Sequence, residues 1–318
     1  MSDQMLERFK AAAIQMRFAW ASVPAELEGK AKSLIETAIG QGVELVALPE
    51  HCGLALLGIL ARTHPELCLD EVVSAAGYTN LADCLRSSSP ALKSAYEQVF
   101  SQLSAQFRVY LAAGTVILPD KGGALYNIAY LFGPEGQVIG TQRQTHLSPM
   151  ERQWGLSWGD RLMIFETEVG KIGLVVGTDV YYPEVSRILC LRGANVLIHP
   201  TCTTAYSQAD WMRRLWREIQ ANQVFGLESA LVGGLFEQPC HDKSAIHAPL
   251  SMTAGNDGLL AAAETSDSEE VVIAELDFDR LQQAIDEYPI YKVLNYRLYE
   301  RYFPKIYGLQ GDRGERRG

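Results

Sequence analysis

Apolar residues along the chain fall into short blocks separated by polar or Gly/Pro-rich breaks. Phe9–Gln15 reads as a buried strand. Pro24 then opens a helix that places Leu27, Ala31, Leu34, Ile35, Ala38 and Ile39 on one face, and Val43–Leu48 returns as a second strand. Strand, helix, strand is an α/β opening, and ligands of such folds collect beyond the carboxyl ends of the strands, where Glu50 stands. The stretch from His51 to Ser89 reads as a helical excursion ending at a Ser87-Ser88-Ser89-Pro90 break, with a helix over Ala91–Phe107 after it. Apolar runs at Val109–Val116, Leu125–Phe132 and Gln137–Arg143 predict strands, the last two joined by the turn Gly133-Pro134-Glu135-Gly136.

A second turn, near Glu168-Val169-Gly170-Lys171, joins two further strands, the latter Lys171–Val176. Pro183 can begin a helix reaching about Arg192, and Asn195–His199 gives the next strand, so the βαβ passage is repeated. A helix over Ala209–Asn222, a strand over Val224–Leu235 and short strands near Ile246 and Val272 complete one domain over residues 1–307, with a Tyr-rich C-terminal arm. Residues 308–318, rich in Gly and Arg, read as a disordered tail. No long repeat recurs, which sets solenoids and propellers aside.

Composition narrows the function classes. The 318 residues are 47% hydrophobic, enough for one large core, and no run approaches the ~18 apolar residues of a membrane span. The polar residues mixed into the start argue against a secretory leader, so the expectation is a cytoplasmic protein. A formal charge of −10 with no basic run makes nucleic acid an unsuitable partner. Cys52, Cys68, Cys84, Cys190, Cys202 and Cys240 include no CxxC pair, and His146 and His199 have no partner at ligand spacing, so neither a metal nor another cofactor is expected.

Four passages in order carry a resemblance. They are Leu45-Val46-Ala47-Leu48-Pro49-Glu50; Tyr126-Asn127 through to Arg143-Gln144-Thr145-His146-Leu147; Gly173 to Pro183-Glu184; and Ala209-Asp210-Trp211 to Asn222-Gln223. Together they resemble the nitrilase, or carbon–nitrogen hydrolase, superfamily. That resemblance implies a four-layer α-β-β-α sandwich assembled into dimers or larger homo-oligomers. It also implies a glutamate base, a cysteine nucleophile and a lysine that steadies the developing negative charge. Glu50 matches the base. The lysine position holds Gln144 and the cysteine position holds Gly177, within Val175-Val176-Gly177-Thr178-Asp179. Glu218-Ile219-Gln220-Ala221-Asn222 and Asp242 depart from the family pattern as well.

Glycine has no atom with which to form a covalent intermediate, and a neutral amide is a poor substitute for a buried ammonium. The leading expectation is therefore a pseudoenzyme that binds a small amide, acid or nucleotide-like ligand, or serves as a structural or regulatory subunit, including in a hetero-oligomer with an active partner. The alternative is an active carbon–nitrogen hydrolase with a relocated nucleophile, Cys202, or with a water activated by Glu50 and Glu151, the latter at the distance of a second family carboxylate. The plainer role for Glu151 is a solvated loop residue, for Cys202 a structural thiol, and for Asp179 a helix cap or a brace of the elbow, while the Trp211, Leu215, Ile219 and Gln220 stripe fits core packing and an oligomer interface alike.

Overall fold

The structure is a computed structural model that describes residues 6–61 and 67–314, with side chains described as far as residue 308. β1 (Arg8–Arg17), α1 (Pro24–Ile39) and β2 (Val43–Ala47) form the expected opening. Proline starts α1, and Leu27, Ala31, Ile35 and Ala38, spaced to share one face, are the residues it buries. β2 lies parallel to β1, with Ala11 opposite Leu45. A 3₁₀ turn at Cys52–Leu57, α2 (Gly58–Ala61) and α3 (Leu69–Ala75) lead to α4 (Leu81–Phe107).

α4 corrects the predicted break at Ser87–Pro90, since Pro90 lies inside a continuous helix of 27 residues. Proline removes the N–H that would bond the Arg86 carbonyl, and the Ser89 hydroxyl donates to that carbonyl instead at 3.2 Å. Ser88 likewise donates to the Cys84 carbonyl at 2.6 Å. Ser89 thus bonds the carbonyl that proline leaves free, while Ser88 back-bonds to the carbonyl four residues before it.

β3 (Tyr110–Pro119), β4 (Leu125–Phe132) and β5 (Val138–Arg143) follow, with the Gly133–Gly136 hairpin where it was predicted. α5 (Pro149–Gln153), the hairpin of β6 (Ile164–Thr167) and β7 (Gly170–Leu174), α6 (Pro183–Leu191) and β8 (Val196–Cys202) make the second passage. The single helix expected over Ala209–Asn222 is instead α7 (Gln208–Trp211), a wide turn at Met212–Trp216 and α8 (Arg217–Asn222), because Arg214 leaves helical geometry at φ −91°, ψ −128°. The stripe on it belongs to the core, with Trp211, Leu215 and Ile219 all buried.

β9 (Phe225–Val232), β10 (Ala245–His247), β11 (Leu259–Ala262), β12 (Glu270–Asp277), α9 (Phe278–Glu287) and α10 (Tyr296–Gly314) complete the chain. α10 runs through Gly308, so the described part of the expected tail is helical as far as Gly314. Tyr296, Tyr299, Tyr302, Phe303 and Tyr307 of this helix are exposed. Among the described residues, no helix is long and apolar enough to cross a membrane.

The strand order is β5-β4-β3-β2-β1-β9-β8-β7-β6, with β12 antiparallel to β1 and β10 antiparallel to β9. β1 joins the two halves: Lys10–Ala13 pair with β2, whereas Met16 and Arg17 pair with β9. The halves face one another across a core in which small residues such as Ala11, Ala13 and Ala47 share a cluster with Leu174, Ile198 and Leu227. α1 and α4 cover the outer face of one half, and α6 and α8 that of the other. The result is the α-β-β-α sandwich, with the ends of β2, β7 and β8 meeting at one place.

Candidate active site

At that place lies a cavity of about 360 Å³ whose wall includes Glu50, His51, Glu151, Gly177, Cys202 and Phe236. Glu50 follows β2 and is 4% exposed. Its Oε1 accepts from Asn127 Nδ2 of β4 at 2.9 Å, and the same amide donates to Gln144 Oε1 at 2.8 Å. Gln144 Nε2 donates in turn to Glu151 Oε2 at 3.0 Å and Thr178 Oγ1 at 2.9 Å. Glu151 is fixed by a capping box at the start of α5: its Oε2 accepts the Ser148 N–H at 2.7 Å, and Ser148 Oγ accepts the Glu151 N–H at 3.2 Å. It is buried, which corrects the reading of a solvated loop residue.

Gly177 begins the turn after β7 with φ +50°, a left-handed backbone that glycine adopts at little cost. A Cβ built there would stand 2.2 Å from Glu50 Oε1 and 3.0 Å from Oε2. The Glu50 carboxylate therefore occupies the room in which any side chain at 177 would begin. Asp179 braces the elbow, accepting from the backbone N–H groups of Thr145 and His146 at 2.9 and 2.6 Å and from the Thr145 hydroxyl at 2.8 Å. This is the brace rather than the helix cap of the sequence reading.

The electrostatics follow from burial. Burial first, then the neighbouring Glu151 carboxylate, pushes Glu50 well above the usual carboxylate range, against the opposing hydrogen bond from Asn127. Glu151 is raised as well, chiefly by burial and in spite of its bonds from Ser148 and Gln144. Burial lowers His51 to about 3, so its imidazole is neutral. Cys202 lies at the end of β8 with its Sγ 3.0 Å from Cys240 Sγ; that contact, followed by burial, raises its thiol well above the ordinary value. A thiol held in this way supplies little thiolate. Cys52 is raised by burial to about 12 and donates to the Ala113 carbonyl at 3.2 Å.

A charged layer underlies the cavity. Arg214 is 2% exposed, and its Nη1 and Nη2 donate to the two oxygens of Asp242 at 2.7 and 2.5 Å. Arg214 Nε stands 3.4 Å from Glu228 Oε1 on β9. Burial opposes charge on Glu228, but Arg214, with hydrogen bonds from His199 and His247, holds it well below the usual range. His199 Nδ1 faces Glu228 Oε1 at 3.2 Å and its Nε2 donates to the Gly177 carbonyl at 2.9 Å, which links this layer to the elbow.

The sequence thus identified Glu50, Gln144, Glu151, Gly177 and Cys202, and the fold brings all five to one cavity or its immediate wall. It gave no role to His51, Asn127, Arg214, Glu228 or His247. Asp242, noted only as a departure from a pattern, is the partner of Arg214. Among the described residues, Glu50, His51 and Glu151 are the group whose ligand atoms all lie within 4.8 Å of one another.

The carbon–nitrogen hydrolase family model matches residues 10–286. The chain is 24% identical over 310 residues to an omega-amidase, NIT2, of Danio rerio, with 92% of this chain and 97% of that protein covered. It is 27% identical over 274 residues to a deaminated glutathione amidase of Synechocystis, covering 82% and 89%. Identity reaches 32% over 197 residues with the probable hydrolase YhcX of Bacillus subtilis, of whose length the match spans 37% and which covers 59% of this chain. In structure it is similar to a carbon-nitrogen hydrolase from Helicobacter pylori G27, with a TM-score of 0.70, 22% identity and 93% and 98% of the two chains covered. An amidase mutant from Nesterenkonia sp. AN1 in complex with butyramide gives a TM-score of 0.68 at 15% identity, covering 92% and 97%. A family model spanning residues 10–286 and a shared four-layer fold place the chain in the carbon–nitrogen hydrolase family, the nitrilase superfamily.

Proposed function

We propose that the chain does not run the thiol-dependent reaction associated with this family, and that it holds a small amide in the Glu50 cavity as a binding or regulatory protein. The observation that carries this reading is Gly177: the backbone turn expected to present the nucleophile has no side chain, and Glu50 fills the place where one would start. Gln144 supports it, because the group between Glu151 and Thr178 is a neutral amide rather than an ammonium. Cys202 is a poor replacement for the missing group, since its half-buried thiol lies 3.0 Å from Cys240 Sγ, a contact that raises it well above the ordinary value.

The wall favours a ligand that donates hydrogen bonds. Glu50 and Glu151 present carboxyl oxygens, and Arg214 is tied to Asp242 and Glu228, which leaves little net attraction for an acid. A primary amide fits this polarity better than its parent acid. The butyramide complex of the Nesterenkonia amidase lends support by fold alone.

The test is ammonia release from primary amides, nitriles and N-carbamoyl compounds, with a chelator present, by the native protein, Glu50→Gln and Cys202→Ala. No release above background is expected from any of the three, while primary amides raise the melting temperature of the native protein and their parent acids do not. Release that disappears in Glu50→Gln or Cys202→Ala would show an active hydrolase and end this reading.

A further inference from the structure

We propose that Glu50, His51 and Glu151 form a binding site for a single first-row divalent cation, Zn²⁺ or Mn²⁺, at the cavity floor beside Gly177. The proposal needs the position at 177 to be free of a side chain but does not depend on amide binding.

The geometry is that of side chains close enough to share one ion. The ligand atoms of the three residues lie within 4.8 Å of one another, and His51 Nε2 stands 3.9 Å from Glu50 Oε1. Bonds of about 2.0–2.2 Å put atoms on opposite sides of an ion roughly 4.0–4.4 Å apart, so movements of no more than about 1 Å bring the set into coordination. All three residues are buried and line one cavity, so an ion there would retain open positions toward the cavity.

His51 supplies an observation independent of the two carboxylates. Its side chain is 3% exposed, its Nδ1 has no hydrogen-bond partner, and its Nε2 is too far from Glu50 for a hydrogen bond. An ion on Nε2, the ring nitrogen facing Glu50, would give this buried imidazole one of the two partners it lacks and leave Nδ1 as it is. The ring is held edge-on against Trp154, with centroids 5.6 Å apart, so it is oriented as well as buried.

Charge points the same way. Among the described residues, neither Glu50 nor Glu151 has an ion pair with a lysine or arginine. The contacts that orient their oxygens come from the amides of Asn127 and Gln144 and the Ser148 and Cys202 N–H groups, which leave two acidic side chains with no fixed cation between them. The mixed imidazole and carboxylate set selects the class of ion, because Ca²⁺ and Mg²⁺ prefer all-oxygen shells and Cu⁺ prefers thiolates.

The experiment is calorimetric titration of the full chain, stripped with chelator and dialysed, with ZnCl₂ and separately with MnCl₂. One equivalent is expected to bind at micromolar concentration. Affinity should fall at least about tenfold in Glu151→Gln and in His51→Asn, asparagine being chosen because residue 51 has a left-handed backbone at φ +61°. Cys202→Ser should bind as the native protein does, and circular dichroism identifies any variant that fails to fold, in which case the other decides. Absence of binding up to millimolar metal, equal binding by Glu151→Gln and His51→Asn, or loss in Cys202→Ser would each overturn the site. Metal binding retained without amide binding would overturn the proposed function and not this inference.

Discussion

Installing a thiol and an ammonium together, as Gly177→Cys with Gln144→Lys, is expected to give measurable ammonia release from primary amides where the native chain has none. The thiol would stand beside Glu50, whose oxygen lies 2.2 Å from the new Cβ, so the carboxylate must withdraw before it can act as its base. A lysine at 144 would have Glu151 Oε2 and Thr178 Oγ1 within reach of its ammonium, where the Gln144 amide now meets both. Gly177→Cys alone should cost about 1–3 kcal/mol of stability, from the left-handed backbone at φ +50° and the crowding of Glu50. It should also remain poorly active, because the developing oxyanion has no cation. Adding the lysine should raise the rate about 10²–10³-fold over that single variant, the usual worth of an oxyanion donor. A double variant that folds and stays at background would show that the centre lost more than these two groups.

The parts of this centre that were legible in the sequence are those carried by local pattern. Leu48-Pro49-Glu50 ends a strand, which marks Glu50 from local pattern, whereas Gly177 in Val176-Gly177-Thr178-Asp179 stands out only through the resemblance to the nitrilase superfamily, whose cysteine position it fills. What linked them was not legible. Asn127 reaches Glu50 because β4 lies in the same half-sandwich as β2, a relation set by strand order across 77 positions of chain. His51 sits next to Glu50 in sequence, yet nothing in its type or spacing showed that burial would leave Nδ1 without a partner. The break inside Ala209–Asn222 is hidden for a related reason: apolar periodicity records which side chains are buried but not that a buried arginine among them, paired with Asp242, leaves helical geometry. At Ser87–Pro90 local chemistry misleads, because a serine, which favours turns, can also serve a long helix, as Ser89 does by bonding the Arg86 carbonyl that proline leaves free.

Arg214→Met is expected to be the most destabilising of the conservative single changes, costing about 3–5 kcal/mol in chemical denaturation. The side chain is 2% exposed and is the shared counter-charge of Asp242 and Glu228, both fully buried. Methionine would fill most of the volume and leave two carboxylates facing each other in a low-dielectric interior, so the loss is electrostatic rather than a cavity effect. Adding Asp242→Asn should therefore recover a substantial part of the lost stability, whereas a packing defect would not respond to it. The kink and the charge pair coincide: Arg214 leaves helical geometry within the wide turn at Met212–Trp216 and makes a bidentate pair with the Asp242 oxygens at 2.7 and 2.5 Å. Because Glu228 also receives His199, whose Nε2 holds the Gly177 carbonyl, loosening of this layer should reach the cavity as weaker amide binding in the folded fraction. Arg214→Met with native stability and native amide affinity would mean that neither Asp242 nor Glu228 depends on the guanidinium, and the charged layer would then have no part in shaping the elbow.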